Sequence, residues 1–506
     1  MAELGRYHGK SETDRIKTNL AHTCSRNGMS AKDAFGFVAD MSHVETATAL
    51  DASWIASECS DDSEHMVFRF DPWVRFNNGD DLSHHHIDGL HLWIGVEKGI
   101  VVVLDSKDHN LFQQFVDGLS PAEVLARQCA ANEDTNIIYH EWQNIRVLVA
   151  KLVKAGFVKG VAGHTDVRIS SPEKFARLHI TRRCQLQCIH CYAASGPDIL
   201  ADKELPLSDW KNIITGISES GGKTVLFTGG EPLVREGCPE LIRHASDCGL
   251  DVTMFTNGLL VKKYLPEIQE YVDLVQVSLN GPDAETNDPI RGNGTFRAVI
   301  EAVDILVRAG VPVRIGMTAM ELNWQALKSR FKGLADRYAG SGVTFHIGYG
   351  LCGFGRAKSL RDNLDLDQIR TELEEMRIYA NGIQKEAITR KTINCGYCEQ
   401  LVIASDGQVY PCHLLSGAMG HIFDYPLDEW YARLRIGAHE HRVDTLEICR
   451  ECDLRNLCGG TCRVINQQET GSKWHTTCSI QDRSAKYRNL LQMFYRPVLT
   501  GVSLLD

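Results

Sequence analysis

The cysteines of this chain constrain its fold and chemistry more than any other feature. Eleven of the 17 lie in two groups, three in the eight residues from Cys184 to Cys191 and eight between Cys395 and Cys478. The first group reads C-x3-C-x2-C and places three thiols on one tight loop, with no fourth cysteine nearby. Thiolates hold iron–sulfur clusters, and a four-iron cluster needs four ligands. Three ligands would therefore leave one iron open for a small molecule, as a catalytic metal site keeps an open position.

The composition predicts a reducing environment for these thiols. At 506 residues the chain is long enough for roughly two to four domains. It contains no apolar run of membrane-spanning length, and its polar N-terminus lacks the apolar stretch of a secretory signal. We therefore predict a cytoplasmic protein with no membrane partner, in which closely spaced cysteines favour metal ligation over disulfides. The formal net charge of -11 argues against a nucleic-acid partner.

Between residues 176 and 350, β-type runs alternate with amphipathic helical stretches. The six runs are ARLHIT, TVLFTGG, DVTMFTN, LVQVSLN, VPVRIGMTAM and VTFHIGYG. Strands that alternate with helices predict parallel βα units. Six units rather than eight predict an α/β fold, a partial (β/α)6 TIM-like barrel, with its chemistry at the C-terminal ends of the strands.

The cysteine loop directly after the first of these strands resembles the radical S-adenosylmethionine (SAM) superfamily. A zinc site is the alternative, although zinc knuckles normally combine C-x2-C with a second close pair. The resemblance implies that Cys184, Cys188 and Cys191 hold a 4Fe-4S cluster whose fourth iron is chelated by SAM. An electron from this cluster would cleave SAM to a 5′-deoxyadenosyl radical, which abstracts hydrogen from the substrate.

The later strand ends agree with the same family. GGEP after the second strand matches the family motif that contacts the SAM amino group. Arg291 suits the SAM carboxylate because a guanidinium fork can donate two hydrogen bonds. By position, the family's SAM contacts fall on Gly229, Gly230, Glu231, Pro232, Thr256, Asn257, Ser278 and Arg291. Many relatives read LDG where this chain has Leu279-Asn280-Gly281, so the polar contacts there should differ.

The C-terminal cysteines resemble the seven-cysteine pattern of the SPASM domain, C-x9–15-G-x4-C…C-x2-C-x5-C-x3-C…C, with Cys398 as an eighth thiol. Eight thiolates fully ligate two 4Fe-4S clusters; two zinc ribbons are the alternative. The resemblance gives the first auxiliary cluster Cys395, Cys398, Cys412 and Cys462, and the second Cys449, Cys452, Cys458 and Cys478. Such clusters can take up the electron that a substrate radical releases on closing a bond. The predicted cofactors are thus SAM and three 4Fe-4S clusters.

Two β-rich runs and three helical stretches precede the barrel. The helical stretches include a capping box with proline, Ser120-Pro121-Ala122-Glu123. Residues 88–162 resemble the RiPP recognition element, the winged-helix-like domain that binds leader peptides of ribosomally made, modified peptides by β-augmentation. A winged helix that binds nothing is the alternative. The run His84-His85-His86 just before it could ligate a metal, but three adjacent side chains cannot all point at one ion from a regular element, so we predict an exposed loop.

These patterns divide the chain into six parts. The predicted boundaries are 1–87 for an unassigned extension, 88–162 for the recognition-element-like domain, 170–355 for the barrel, 356–391 for a helical linker, 392–482 for the SPASM domain and 483–506 for a C-terminal helix. The arrangement is similar to that of radical SAM maturases of ribosomal peptides, which install thioether, carbon–carbon or ether cross-links. The hypothesis is therefore a cross-linking maturase served by a flavodoxin- or ferredoxin-type reductant.

Three alternative functions remain open. A peptide epimerase would use Cys352, just past the sixth strand, as its hydrogen donor, although a bystander thiol is the plainer interpretation. A formylglycine maturase usually has an aspartate where this chain has His413. An electron-transfer or scaffold protein would need no SAM motifs. His413 and Tyr349 are the further candidates for proton handling, and the other five scattered cysteines are expected to be small buried residues.

Overall fold

The computed structural model describes residues 56–60, 66–70, 76, 81–130, 134–158, 174–349, 351, 353–360, 366–381 and 392–499. The chain divides into two compact units. One unit comprises residues 1–167, 389–391 and 490–506, and the other comprises 168–388 and 392–489. No helix of the described segments is long and apolar enough to cross a membrane.

The N-terminal unit contains two antiparallel sheets and three helices. Strands β1 (Ala56–Ser60) and β2 (Met66–Phe70) pair with each other, and β3 (Leu82–Ile87), β4 (Leu90–Gly95) and β5 (Ile100–Leu104) form a three-stranded sheet in that order. The helices are Ser106–Val116, Pro121–Gln128 and Thr135–Lys154. Trp93, Phe112 and Trp142 belong to the apolar core shared by the sheet and the helices. The predicted capping box is confirmed, since Ser120 and Glu123 bond each other's backbone N–H groups.

The prediction for the histidine run was wrong. His84, His85 and His86 lie within β3, where His86 pairs with His91 and His84 with Trp93. The missed signal is the Asp88-Gly89 turn, in which both residues have positive φ, 53° and 79°. Asp-Gly favours the tight turn of a two-residue hairpin. The domain boundary predicted at residue 87 therefore cuts through the β3–β4 hairpin, and the sheet next to the helices has three strands rather than the predicted two.

The second unit contains all six predicted barrel strands. They are β6 (Phe175–Thr181), β7 (Thr224–Gly229), β8 (Asp251–Thr256), β9 (Leu274–Ser278), β10 (Val313–Ala319) and β11 (Thr344–Tyr349). All neighbours pair in parallel, in chain order. The helices between and after these strands are Leu207–Glu219, Cys238–Asp247, Leu265–Tyr271, Ala284–Arg291, Thr295–Arg308, Glu321–Arg337 and Leu366–Asn381. The parallel α/β architecture follows the prediction.

The cysteine-rich region extends the same sheet. Strand β12 (Leu401–Ile403) pairs in parallel with β6, and β13 (Gln408–Tyr410) and β14 (Gly420–His421) continue outward in antiparallel fashion. The helices of this region are Leu427–Glu440, Arg455–Cys458, Arg463–Thr470 and Ile480–Leu499. The region that carries the second cysteine group is thereby joined to β6, the strand that precedes the first cysteine group.

The two faces of the parallel sheet differ in polarity. On β6, Ala176, Leu178 and Ile180 join the apolar core, while Arg177 and His179 alternate with them and take the opposite face. Parallel sheets are usually apolar on both faces because helices cover both. A polar face at the centre of such a sheet is typical of a surface that binds a ligand.

Candidate active site

The first cysteine group lies on the loop that follows β6, at the C-terminal edge of the sheet. Cys184 is buried, and Cys188 and Cys191 are half-buried. The Cys184 N–H donates to the Gly196 carbonyl over 3.1 Å and closes the loop. Burial raises the pKa of Cys184 to about 11 and also raises that of Cys188. These thiols therefore need a cationic partner to ionise at neutral pH, and a metal centre supplies one.

Arg356 fastens this loop, although no sequence motif pointed to it. Its Nε donates to the Cys188 carbonyl over 2.9 Å and its Nη2 to the Ser195 carbonyl over 2.7 Å. Its backbone N–H donates to the Cys191 carbonyl over 2.9 Å. The preceding Gly355 has a φ of 56°, and a Cβ there would overlap the Cys191 carbonyl. A distant segment of the chain thus holds the backbone that carries two of the three thiols.

The glycines of the GGEP turn bind the start of the same loop. Gly229 has a φ of 141°, and a Cβ at Gly229 or Gly230 would overlap the carbonyls of Thr181 and Arg183. Gly230 N–H donates to the Thr181 carbonyl over 2.8 Å, and Glu231 N–H donates to the Arg183 carbonyl over 2.9 Å. The close approach requires residues without side chains. Pro232 then begins a short 3-10 turn, Pro232–Val234.

The Glu231 carboxylate is fully buried, and its oxygens accept bonds from the chain itself. Oε1 accepts from the Leu233 N–H over 3.2 Å and the Thr256 hydroxyl over 2.8 Å, and Oε2 accepts from the Asn257 N–H over 2.7 Å. Burial raises the pKa of Glu231 to about 7, although these hydrogen bonds oppose the rise. The side chain therefore ties the end of β7 to the end of β8. Asn257 in turn lies beside the cysteines, with its Nδ2 at 3.7 Å from Cys184 Sγ.

Arg291 brings a buried positive charge to this edge of the sheet. It is 5% exposed, and its Nη1 donates to Asn280 Oδ1 over 2.9 Å. Its Nε has no hydrogen-bond partner among the described residues. Its charge opposes the rise in pKa that burial causes at Cys188 and Glu231. Because an amide at Asn280 leaves the guanidinium charge unneutralised, the residues here suit an anionic group such as the SAM carboxylate.

The predicted SAM contacts thus gather at the ends of three neighbouring strands. Gly229 ends β7, Thr256 ends β8 and Ser278 ends β9, where it pairs with Gly316. Helix Ala284–Arg291 ends at Arg291. The C-terminal strand ends are where a (β/α) barrel places its chemistry.

Four of the C-terminal cysteines meet around Tyr397. The thiols of Cys395 and Cys462 hydrogen-bond each other, which raises the pKa of Cys395 and lowers that of Cys462. Cys398 and Cys412 are buried and lie close enough to influence each other. Burial raises the pKa of Tyr397, and all four thiols add to the rise. These are the four cysteines predicted to hold the first auxiliary cluster.

The other four cysteines line a single cavity. Its cysteines are Cys449, Cys452, Cys458 and Cys478. Arg455, Arg483 and Lys486 line the same cavity, and Lys486 Nζ donates to Cys458 Sγ over 2.7 Å. Nearby positive charge favours thiolates, and hydrogen bonds to sulfur tune the potential of an iron–sulfur cluster. Four thiols with basic neighbours fit a cluster that is fully ligated by the protein.

Arg463 connects the two groups and was missed in the sequence. It is fully buried. Its guanidinium donates to the carbonyls of His441, Gly459 and Thr461 over 2.6 to 3.1 Å. Its charge opposes the rise in pKa of Cys395 in one group and of Cys449 in the other. It directly follows Cys462, but sequence alone does not distinguish a buried arginine from an exposed one.

The polar face of the sheet carries unpaired positive charge. Arg177 lies over Phe255, 5.6 Å from the ring centroid, and its Nε donates to Gln400 Oε1 over 3.1 Å. No ion pair of the described residues includes it. Burial lowers its pKa, while Tyr192, next to Cys191, and Cys412 are close enough to oppose that shift. Arg177 therefore lies between the first and second cysteine groups.

Further basic residues share this face. Burial lowers the pKa of His179 to about 3, and Arg177 and His413 add to the effect. His179 is 1% exposed, and its Nε2 has no partner among the described residues. Burial also lowers the pKa of His346, helped by Arg377 and by Arg314 on the neighbouring strand. The two histidines are therefore neutral at pH 7, and the positive charge that would suit an anion comes from Arg177 and Arg314.

Of the three predicted catalytic residues, His413 can be placed fully. Its ring meets Tyr192 edge-on, with 6.4 Å between centroids. The side chain reaches solvent, but surrounding protein and then Arg177 lower its pKa to about 4. It is therefore a neutral imidazole at pH 7. Tyr349 is the last residue of β11, and its side chain and all of Cys352 lie outside the described part of the chain.

Comparisons with known proteins agree with this geometry. The AdoMet-dependent heme synthase of Methanosarcina barkeri is 26% identical over 343 residues, 60% of this chain and 95% of that protein. The PqqA peptide cyclase of Bradyrhizobium diazoefficiens is 27% identical over 325 residues, 59% of this chain and 83% of that protein. The solved structure of native anSMEcpe with bound AdoMet covers 65% of this chain and 98% of its own, with 16% identity and a TM-score of 0.50.

The family model adds the assignment. Residues 178–330 match the model of the radical SAM superfamily. This segment begins within β6, includes the cysteine loop and the GGEP turn, and extends past β10. Residues 178–330 therefore form a radical SAM domain.

Proposed function

We propose that the chain is a peptide maturase that uses radical SAM chemistry to install an oxidative cross-link in a ribosomally made precursor. The observation that carries the proposal is the arrangement of eight C-terminal thiols into two groups of four, in the same compact unit as the SAM-type cysteine loop. Joining two groups that each carry a hydrogen removes two hydrogen atoms, and with them two electrons, from the substrate. The radical takes the first hydrogen atom, so the second electron needs an acceptor. A redox-neutral reaction needs no such acceptor.

In this proposal the chain's residues hold three clusters. Cys184, Cys188 and Cys191 would hold the cluster that binds SAM, and Arg291 and Ser278 would contact the SAM carboxylate and ribose. When bound, these groups supply a 5′-deoxyadenosyl radical that removes one hydrogen atom, and auxiliary clusters that accept the second electron. The accompanying proton needs a base. We assign that role to His413 because it directly follows Cys412, a proposed ligand of the first auxiliary cluster.

The precursor is proposed to bind the N-terminal unit through its leader. The three-stranded sheet has two edges, β3 and β5. All five residues of β5 are buried, whereas β3 alternates between half-buried and exposed residues. Strand addition takes place at the edge of a sheet, so β3 is the edge we assign to the leader; it directly precedes the recognition domain proposed for residues 88–162. A flavodoxin- or ferredoxin-type protein is proposed as reductant.

A second candidate is an enzyme that acts on a heme precursor. The heme synthase of Methanosarcina barkeri aligns along 95% of its length with this chain, and the unpaired charge of Arg177 suits a carboxylate-rich tetrapyrrole. The cyclase relative and the edge strand favour the peptide. An epimerase that uses Cys352 stays a further alternative.

One experiment separates these candidates. The protein is reconstituted anaerobically and incubated with SAM, dithionite and either the peptide encoded beside it or Fe-coproporphyrin III. We expect 5′-deoxyadenosine together with loss of about two mass units per event from the peptide, for two hydrogens. Turnover of the porphyrin alone would overturn the peptide assignment. Unchanged peptide mass with deuterium gained from D2O would indicate epimerisation.

Arg356→Ala should loosen the first cluster. The change removes two bonds from a charged group to the carbonyls of Cys188 and Ser195, and supporting contacts of this kind typically change metal affinity by roughly 10- to 100-fold. We expect the variant to lose the first cluster to a chelator at least about tenfold faster. Lys358→Ala, an exposed neighbour, is the control. Equal rates for the two variants would remove Arg356 from this role.

SAM affinity should fall as the pH drops below about 7. Protonation of Glu231 removes the charge that strengthens the bonds from its three donors, so the end of β8 at Thr256 and Asn257 loosens. We expect Kd for SAM to rise roughly tenfold between pH 8 and pH 6, the effect of one charge-assisted hydrogen bond. Glu231→Gln should bind weakly at both pH values. Parallel pH profiles for the two proteins would contradict this assignment.

Arg177→Met should weaken binding of an anionic substrate. One charge-assisted bond stabilises by about 1.5–3 kcal/mol, so we expect KM to rise roughly 10- to 100-fold with a smaller change in kcat. Arg177→Lys should recover part of the loss, and Lys262→Met on the surface should behave as wild type. An unchanged KM in Arg177→Met would show that the substrate does not use this charge.

A further inference from the structure

Three histidines of the N-terminal unit converge from three different elements. His84 lies in β3, His91 in β4 and His109 in the first turn of the helix Ser106–Val116. A ring nitrogen of each lies within 4.8 Å of the others, and His84 Nε2 is 3.0 Å from His91 Nδ1. Within the described segments, no carboxylate or lysine is hydrogen-bonded to any of the three rings.

The hairpin register explains this convergence. His84 and Trp93 are cross-strand partners, and so are His86 and His91. Side chains two apart on a strand share a face, so His84 and His91 are diagonal neighbours on one side of the sheet. The ring of His109 stacks on that of His91, with 3.8 Å between centroids. The sequence run His84–His86 thus contributes alternate residues to this side, not three adjacent ligands.

We propose that His84, His91 and His109 bind a transition-metal ion, with zinc as the first expectation. Imidazole nitrogens suit zinc, copper and nickel, and zinc sites with three protein ligands keep a fourth position open. Tetrahedral zinc with bonds of about 2.0–2.1 Å places ligand nitrogens roughly 3.3 Å apart. The His84–His91 distance of 3.0 Å is close to this, and the full set lies within 4.8 Å, so the rings need to turn but the backbone does not need to move far.

Metal binding would break a hydrogen bond of Trp93, and this loss makes binding measurable. The Trp93 indole N–H donates to His109 Nδ1 over 3.1 Å, and the His84 ring stacks on Trp93 at 4.6 Å. A metal at Nδ1 would displace the indole N–H. A metal at Nε2 would require a proton on Nδ1, which also breaks this bond. The fluorescence of Trp93 should therefore report on binding.

A bound ion would clamp the edge strand. β3 is an edge of its sheet, and the ion would link it to β4 and to the helix that carries His109. The site lies in the N-terminal unit and uses nitrogen ligands only. Its existence does not depend on the proposed reaction.

The test uses the full-length protein with its iron–sulfur clusters reconstituted. One equivalent of zinc is added, and X-ray absorption at the zinc edge distinguishes nitrogen ligands at about 2.0 Å from sulfur ligands at about 2.3 Å. We expect nitrogen ligation and a change in fluorescence that is absent from Trp93→Phe. Sulfur ligation in the wild-type protein would overturn the proposal without any variant.

Variants locate the site. His84→Gln, His91→Gln and His109→Gln should each weaken zinc binding at least roughly tenfold, while His140→Gln, an exposed histidine of the helix Thr135–Lys154, should bind as wild type. Unchanged iron content and circular dichroism show that each variant is folded. Equal zinc affinity in all four variants would overturn the proposal.

Discussion

Cys188→Ala should abolish formation of 5′-deoxyadenosine. The change leaves two thiols on a loop that offers only three, so the cluster loses the ligation that keeps one iron open for SAM. Changes in supporting residues already reduce metal affinity or activity by roughly 10- to 100-fold, and loss of a ligand should exceed that range. The measurement is anaerobic SAM cleavage with dithionite, together with iron content, which should fall by about four per chain.

The matched control for this variant is Cys248→Ala. Cys248 follows the helix Cys238–Asp247 and is 3.9 Å from the Thr215 hydroxyl, on the helical side of the sheet. Its loss should leave SAM cleavage and iron content unchanged. If Cys188→Ala still cleaved SAM at the wild-type rate, the loop from Cys184 to Cys191 would not be the radical-generating site.

Cys458→Ala should separate SAM cleavage from product formation. Cys458 lines the cavity of the second auxiliary group and accepts a hydrogen bond from Lys486. Without this ligand the electron acceptor is impaired, whereas the first cysteine loop is untouched. We expect 5′-deoxyadenosine to form within a few-fold of wild type and cross-linked peptide to fall by roughly a hundredfold or more.

Lys486→Met refines this test because it removes the bond to Cys458 but keeps all four thiols. Hydrogen bonds to cluster sulfurs help to set the reduction potential, so the potential of this cluster should fall while its iron content is retained. If Cys458→Ala made cross-linked peptide at the wild-type rate, this group would not be the electron acceptor.

The sequence predicted the parts of the fold that local patterns determine. All six barrel strands lie where alternating β and helical stretches placed them, and the capping box at Ser120 forms as expected. At the Leu279-Asn280-Gly281 departure, Asn280 accepts from Arg291 without neutralising its charge; whether this contact differs from that of relatives with LDG stays a prediction. These features depend on residues close together in the chain or on a motif tied to a strand end.

Features made by distant residues could not be predicted. The guanidinium groups of Arg356 and Arg463 donate to backbone carbonyls of other segments. The spacing of residues in a sequence does not show which carbonyl will accept such a bond. Strands β12 to β14 are two or three residues long, too short for a periodic pattern. The β3 strand was missed because His84–His86 reads as polar, whereas its pairing depends on the Asp88-Gly89 turn.

The central claim is that three cysteine sets hold three clusters and that one cluster is open to SAM. Mössbauer spectroscopy of protein reconstituted with iron-57 tests it most directly, with and without SAM. We predict about twelve irons per chain in 4Fe-4S clusters, of which about one changes its spectrum when SAM is added. Zinc in place of iron, iron for fewer than three clusters, or a spectrum that SAM leaves unchanged would contradict the account.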